Sequence, residues 1–203
     1  MSVLGELQPN KVFKYFEEIC SIPHGSRNLQ QISDYLVDFA KAHELKYRQD
    51  EDLNVIIWKD GSKGYEASEP VILQGHMDMV AVKEADCDKD MEKEGLDLEI
   101  NGDYISAKGT SLGGDDGIAV AYTLAVLDDE EMAHPPIEAI FTVNEEIGML
   151  GAATIDVSDL KGRLFMNMDS EDEGVFTVSC AGGASVICKI PYVTETVNAS
   201  VIE

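Results

Sequence analysis

Positive charge is scarce in this chain of 203 residues, which has 15 Lys and Arg against 39 Asp and Glu and a formal net charge of −24. A surface this acidic repels nucleic-acid phosphates and anionic lipid headgroups, and it raises the local concentration of cations. We therefore expect neither a nucleic-acid partner nor a membrane partner. Most of the carboxylates need no role beyond solvation.

Long apolar runs and paired cysteines are also missing. No segment approaches the roughly 20 apolar residues of a transmembrane helix, and charges such as Glu6, Lys11 and Lys14 interrupt the N-terminal stretch where a secretory signal would lie. The four cysteines contain no C-x-x-C pair, which disfavours a thiolate zinc site and is typical of reduced thiols. The sequence predicts a cytoplasmic protein.

Short apolar segments alternate with helical patterns along the chain. The predicted strands are Val55–Trp58, Val71–Leu73, Tyr104–Ala107, Ile137–Val143 and Arg163–Met168. The predicted helices are Pro9–Cys20, one that starts near Asn28 with Gln31 completing a capping box, Ile118–Leu127, and one from Met149. This alternation predicts an α/β fold with a layered, mostly parallel sheet flanked by helices.

A histidine and an acid follow the strand Val71–Leu73, in the stretch Gly75-His76-Met77-Asp78. Ligands of open α/β sheets bind outside the carboxyl ends of strands. A histidine can bind a metal through one ring nitrogen while the other N–H donates to a carboxylate. Taken alone, the pair is better explained as a turn histidine hydrogen-bonded to its neighbour.

Two later strands end in the same way. Glu145 and Glu146 follow Ile137–Val143, Asp169 follows Arg163–Met168, and Asp115 follows glycines before a helix. Carboxylates crowded together repel one another and take up protons unless cations neutralise them. One imidazole with several carboxylates suits zinc or manganese better than calcium, and so many carboxylates also suit two metals bridged by a shared acid.

Each acid has a structural alternative. Asp115 or Asp116 can serve as a helix N-cap, the interpretation preferred for Asp116. Glu145 and Glu146 can be first-turn acids of the next helix, and Asp169 can open a turn. A metal site is favoured because acids recur at successive strand ends.

Four motifs then occur in a recognisable order. They are Gly75-His76-Met77-Asp78, Gly113-Gly114-Asp115-Asp116-Gly117, Glu145-Glu146-Ile147-Gly148 and Asn167-Met168-Asp169-Ser170-Glu171. Together they resemble the co-catalytic zinc dipeptidases, in particular the aminoacyl-histidine dipeptidases (peptidase D, carnosinase-like). The resemblance runs from about Leu7 to Gly183 and includes Cys180-Ala181-Gly182-Gly183, a sequence typical of that group.

The resemblance implies a set of roles for these residues. His76 and Asp169 would bind one metal ion, Glu146 the other, and Asp115 would bridge the two. Glu145 matches the general base of the family, and Asp78 the acid behind the histidine ligand. The implied cofactors are two divalent ions, zinc foremost with cobalt or manganese as alternatives, and the implied substrate is a dipeptide, such as an Xaa-His dipeptide.

The resemblance also implies that the chain is incomplete. Family members add a last histidine ligand and an inserted lid domain that carries a further histidine, whereas the remaining histidines here are His24, His43 and His134. Residues 1–183 are then expected to be the N-terminal part of a zinc-exopeptidase-like catalytic domain, and residues 184–203 the start of the lid. We expect such a fragment to be weakly active or inactive alone, and the full-length protein to form a homodimer.

Two other functions share the same motifs. An amide deacylase of the same superfamily (aminoacylase-like) would carry the same metal ligands. An inactive acidic domain that only binds metal is the second alternative, but it would have no need of Glu145 as an unliganded base.

Overall fold

A computed structural model describes residues 2–170, 174–179, 182 and 186–194. The chain divides into two units, residues 1–170 and residues 171–203. Within the second unit the described residues form neither helix nor strand. The expected lid segment lies partly outside the described residues, at 184, 185 and 195–203, and of the motif at 180–183 only Gly182 is described. The domain boundary at 183 stays a prediction.

Seven strands and four helices make up the first unit. The strands are β1 (Lys46–Gln49), β2 (Val55–Lys59), β3 (Val71–His76), β4 (Leu98–Asn101), β5 (Tyr104–Ala107), β6 (Ile137–Thr142) and β7 (Leu164–Asn167). The helices are α1 (Asn10–Cys20), α2 (Gln30–Ala42), α3 (Gly114–Leu127) and α4 (Leu150–Thr154). Among the described residues, no helix has the length and apolarity needed to cross a bilayer.

The main sheet has five strands in the order β1-β2-β6-β3-β7, and β4 and β5 form a separate hairpin. β2 is antiparallel to β1 and β6, whereas β3 is parallel to β6 and β7. The predicted α/β layered fold is confirmed, and its sheet is mixed. The parallel part is what matters for function, because it brings the carboxyl ends of β6, β3 and β7 to one edge.

The core lies between this sheet and its helices. Every residue of β6 is buried, as expected for a strand in the middle of the sheet. α1 buries Val12, Phe16 and Ile19 along one stripe and packs on α3, which in turn packs on β3. α2 packs on β1 and β2. The helix α3 therefore packs against β3, the strand that ends in His76, and is itself covered by α1.

Local sequence pattern missed two strands and misplaced one helix cap. β1 and β4 were not predicted: Lys-Tyr-Arg-Gln in β1 is mostly polar, and Leu-Glu-Ile-Asn in β4 alternates but is only four residues long. The capping box was wrong: α2 starts at Gln30, its N-cap is Leu29, and no side chain caps it. Asn28 instead donates through Nδ2 to the carbonyl of Glu92 at 2.9 Å, a partner 64 residues away.

A buried acid anchors the segment that leads into β7. Glu138 of β6 is 3% exposed. Its Oε1 and Oε2 each accept the N–H of Lys161 at 3.0 Å, and Oε2 also accepts the N–H of Gly162 at 2.8 Å. These charge-assisted bonds compensate the cost of burying the carboxylate.

Replacing Glu138 with Gln is expected to lower the free energy of unfolding by about 2–3 kcal/mol, since the new amide N–H₂ would face backbone donors instead of accepting from them. Urea unfolding followed by circular dichroism measures this change. The matched control Glu130→Gln, at an exposed position, is expected to change stability by less than about 0.5 kcal/mol. Equal effects of the two substitutions would contradict a stabilising role for the Glu138 bonds.

Candidate metal centre

The register of two parallel strands sets the position of the histidine. His76, the last residue of β3, lies opposite Thr142, the last residue of β6, and the next residue, Met77, donates its N–H to the Thr142 carbonyl at 2.9 Å. Asp78 therefore leaves the sheet beside Glu145 and Glu146, which follow β6. Asp169 lies beyond the end of β7, the other parallel neighbour of β3.

The predicted site residues converge around His76, whose side chain is 1% exposed. Its Nε2 lies 3.0 Å from Asp115 Oδ1 and 3.9 Å from Glu145 Oε2. Two overlapping groups each bring their candidate ligand atoms within 4.8 Å of one another: His76, Asp115 and Glu146, and His76, Glu145 and Asp169. The structure thus brings together all four predicted metal ligands and the predicted base, with His76 in both groups.

The orientation of the His76 ring suits metal binding. Nδ1 lies 2.9 Å from the carbonyl oxygen of Asp78 and 3.6 Å from its Oδ1. In the tautomer with its proton on Nδ1, that proton donates to the Asp78 carbonyl oxygen, and Nε2 faces Asp115 and the acidic cluster, where a metal ion would take the place of a second proton. This is the tautomer that a metal ligand requires.

Asp78 connects the histidine to the turn that carries the two glutamates. Its carboxylate is fully buried. Oδ2 accepts the Ser26 hydroxyl at 2.8 Å, and Oδ1 accepts the Glu145 N–H at 2.9 Å. Burial by itself would raise the pKa of Asp78, but the bonds from His76, Glu145 and Ser26 outweigh it and hold that pKa below its usual value.

The electrostatics of the site indicate uncompensated negative charge. Burial disfavours charged His76, yet the hydrogen bond to Asp78 and the charge of Asp116 outweigh burial and raise the His76 pKa to about 10. Burial raises the pKa of both Glu145 and Glu146. The charge of Asp169 raises the pKa of Glu145 further, and that of Asp115 raises the pKa of Glu146 further, while His76 lowers both. A divalent cation would relieve this repulsion, so the donor set fits a metal.

Two of the structural alternatives do not hold. Glu145 and Glu146 precede α4, whose first residue is Leu150 and whose N-cap is Met149, so they are not first-turn acids. The N-cap of α3 is Gly113, which makes the N-cap interpretation of Asp116 wrong. Asp116 is instead 1% exposed and accepts the His76 N–H through Oδ2 at 3.2 Å.

Sequence reasoning therefore missed Asp116 and Ser26 as parts of the site. Burial raises the pKa of Asp116 to about 7, although His76 opposes the shift. The two adjacent acids in Gly113-Gly114-Asp115-Asp116-Gly117 indicated that this turn belongs to the site, but they did not show which acid contacts the backbone of His76. Ser26 reaches Asp78 across 52 residues, a contact that no local pattern contains.

The other histidines do not join the cluster. The His24 ring meets the Ile22 carbonyl through Nδ1 at 2.6 Å, the His43 ring stacks on Phe39 with centroids 4.3 Å apart, and His134 Nδ1 meets the Pro135 carbonyl at 2.7 Å. Each ring therefore has a partner close to it in the sequence.

Comparison with known proteins shows which proteins the chain is similar to. No family model matches the sequence. The chain is similar to the cytosol non-specific dipeptidase of Escherichia coli (strain K12), with 39% identity over 98% of this chain and 41% of that protein. It thus spans less than half the length of this curated relative.

Solved structures add two further similarities. The fold is similar to that of the aminoacylhistidine dipeptidase from Vibrio alginolyticus, with a TM-score of 0.82 and 40% identity over 84% of this chain and 35% of that one. It is also similar to aminopeptidase PepT from Bacillus cereus ATCC 10987, with a TM-score of 0.68 over 82% of this chain and 44% of that one. At 21% identity, the second similarity speaks for the fold alone.

Proposed function

Because the chain belongs to the peptidase D family, whose N-terminal portion it matches, we propose that it carries most of the metal site of a metal-dependent dipeptidase. The site would serve a whole protein that hydrolyses Xaa-His or other dipeptides. Support comes from two relatives, one named as a dipeptidase that is non-specific and one as an aminoacylhistidine dipeptidase.

A single observation carries the proposal. At the edge where three neighbouring strands end, one buried imidazole and four carboxylates place candidate ligand atoms within 4.8 Å of one another in two overlapping groups. Like charges so close together are unfavourable without cations, and this many carboxylates suit a pair of metal ions bridged by a shared acid, typically about 3.5–4 Å apart.

The proposed ligands are His76, Asp115, Glu146 and Asp169, with Asp115 as the bridge. Asp115 suits a bridge because its Oδ1 lies 3.0 Å from His76 Nε2, a proposed ligand of one ion, and because it also groups with Glu146, the proposed ligand of the other. Zinc is the proposed metal, with cobalt or manganese as alternatives, because imidazole and carboxylate together suit these ions.

Glu145 would act as the general base. When bound, divalent ions at this site lower the pKa of water and polarise a peptide carbonyl. Glu145 takes a proton from the attacking water and passes it to the amine that leaves when the peptide bond breaks. The backbone N–H bond to Asp78 at 2.9 Å fixes the start of its side chain.

Metal titration of the purified chain is the first test. We expect about two equivalents of Zn²⁺ to bind, as measured by calorimetry and by elemental analysis after dialysis, and Co²⁺ to give visible absorption bands of a nitrogen–oxygen site. His76→Ala is expected to remove at least one of the two equivalents, because it takes away the imidazole ligand of the ion shared with Asp169. The matched control His43→Ala, which removes a ring stacked on Phe39, is expected to bind metal normally.

A chain that binds no divalent metal, or a His76→Ala variant that binds it as well as the wild type, would overturn the proposal. Substrate class is tested separately in the whole protein. Release of histidine from an Xaa-His dipeptide is expected to exceed deacylation of an N-acyl amino acid, and the reverse order would favour the amide deacylase.

A further inference from the structure

Asn54 is a buried polar side chain that the proposed mechanism does not use. It directly precedes β2 and is 1% exposed. Its Oδ1 accepts the N–H of Val143 at 3.1 Å, and its Nδ2 donates to Asp50 Oδ2 at 2.8 Å and to the Gly151 carbonyl at 3.3 Å. Both ends of the amide are therefore engaged, which is what burial of a polar group requires.

The two backbone partners of Asn54 are the two ends of one loop. Residues 143–151, here named the glutamate loop, start at Val143 and return to Gly151, whose N–H donates to the Val143 carbonyl at 2.9 Å. Glu145 and Glu146 lie within this loop. A second bond, from Leu150 N–H to the Asn144 carbonyl at 3.1 Å, narrows the loop just inside its base.

We propose that Asn54 is a positioning residue that holds the base of the glutamate loop, so that Glu145 and Glu146 face His76. The proposal rests on the proposed function, since it assigns Asn54 a role in placing the base and one metal ligand. Asn54 contacts neither metal nor substrate and acts through Val143 and Gly151. Asp78 holds the same loop from the site side, through the N–H of Glu145 at 2.9 Å.

The chemistry of the position calls for an amide. One group must accept from a backbone N–H and also donate to a backbone carbonyl and to a carboxylate, which only Asn or Gln can do without a change of charge. Asp50 fixes the amide from behind, because its Oδ1 accepts the Asn54 N–H at 2.8 Å and its Oδ2 accepts Nδ2. An aspartate at 54 would lose the donor and face the like charge of Asp50.

The test compares Asn54→Ala and Asn54→Asp with the control Ser33→Ala. Ser33 is also fully buried, and its hydroxyl donates to the carbonyl of Leu53 at 2.7 Å, next to Asn54 but away from the glutamate loop. Residue-resolved hydrogen exchange reports the order of the loop, and Co²⁺ titration reports the affinity and absorption spectrum of the metal site.

In both Asn54 variants, the amide hydrogens of residues 143–151 are expected to exchange at least about tenfold faster than in the wild type. Both variants are also expected to bind Co²⁺ about 10- to 100-fold more weakly, which is the usual effect of removing a residue that supports a metal ligand. Ser33→Ala is expected to lower the melting temperature while keeping both the exchange of this loop and the Co²⁺ affinity. Unchanged loop exchange in folded Asn54 variants, or equal losses in Ser33→Ala, would overturn the proposal.

The wild-type chain provides a test that does not depend on a variant that folds. The Val143 amide, bonded to Asn54, is expected to exchange as slowly as the amides of β6, and exchange as fast as that of exposed amides would overturn the proposal. A wild-type chain with a slowly exchanging loop but no metal binding would refute the proposed function while leaving Asn54 as the residue that orders the loop.

Discussion

Replacing Glu145 with Gln is expected to lower kcat for dipeptide hydrolysis by the whole protein about 100- to 10,000-fold, the usual contribution of a general base. The amide has nearly the same shape as the carboxylate but cannot take a proton from water. Metal content, measured by elemental analysis, is expected to stay at the wild-type level. The combination of lost turnover and retained metal separates a base from a ligand.

The neighbouring substitution Glu146→Gln is the matched control. Glu146 belongs to the group with His76 and Asp115, so this substitution is expected to lower metal affinity as well as turnover. Glu145 also lies in a group with His76 and Asp169. The metal content of the two variants therefore decides whether Glu145 is a ligand or a base. Loss of metal from Glu145→Gln would make Glu145 a ligand, and full activity of that variant would refute its role as the base.

Asp78→Asn is expected to weaken metal binding about 10- to 100-fold and to lower the free energy of unfolding by about 3 kcal/mol. The buried carboxylate accepts from the Ser26 hydroxyl and the Glu145 N–H and lies 3.6 Å from His76 Nδ1. An asparagine would point an N–H₂ group at one of these donors and would remove the negative charge beside the Nδ1 proton, although the backbone carbonyl of residue 78 would still accept that proton. Zinc calorimetry and urea unfolding measure the two effects.

Ser26→Ala is the matched control for Asp78→Asn. It removes one neutral donor to the same carboxylate at 2.8 Å and is expected to cost about 1 kcal/mol of stability with little change in zinc affinity. If Asp78→Asn bound zinc with wild-type affinity, Asp78 would support the fold but would not orient the histidine. Equal loss of zinc affinity in the two variants would place the effect in the loop at Ser26 instead.

Much of the site could be predicted because its signals are local. The sequence shows His76 soon after one predicted strand and acids directly after two others, and parallel strands bring such ends to one edge. The structure places Asp115, Glu145, Glu146 and Asp169 in groups with His76. Their roles as ligands and base remain proposals that the experiments above address.

The contacts that hold the site together could not be predicted in the same way. Asp116 was interpreted as an N-cap, yet it accepts the backbone N–H of His76, 40 residues earlier. Asn54 holds Val143 across 89 residues, and Ser26 reaches Asp78 across 52. Periodicity and capping preferences describe neighbours along a helix or a strand, so they carry no information on such pairs.

The sequence by itself determined the chemistry: short apolar strands, with one imidazole and several carboxylates close after them, because residue type and spacing indicate local structure and ligand character. Only the tertiary structure decided the strand order, the mixed sheet and the hydrogen bonds that His76 donates to Asp78 and Asp116. These depend on which distant segments pack together and on which buried polar groups must find a partner, and that is a property of the folded chain as a whole.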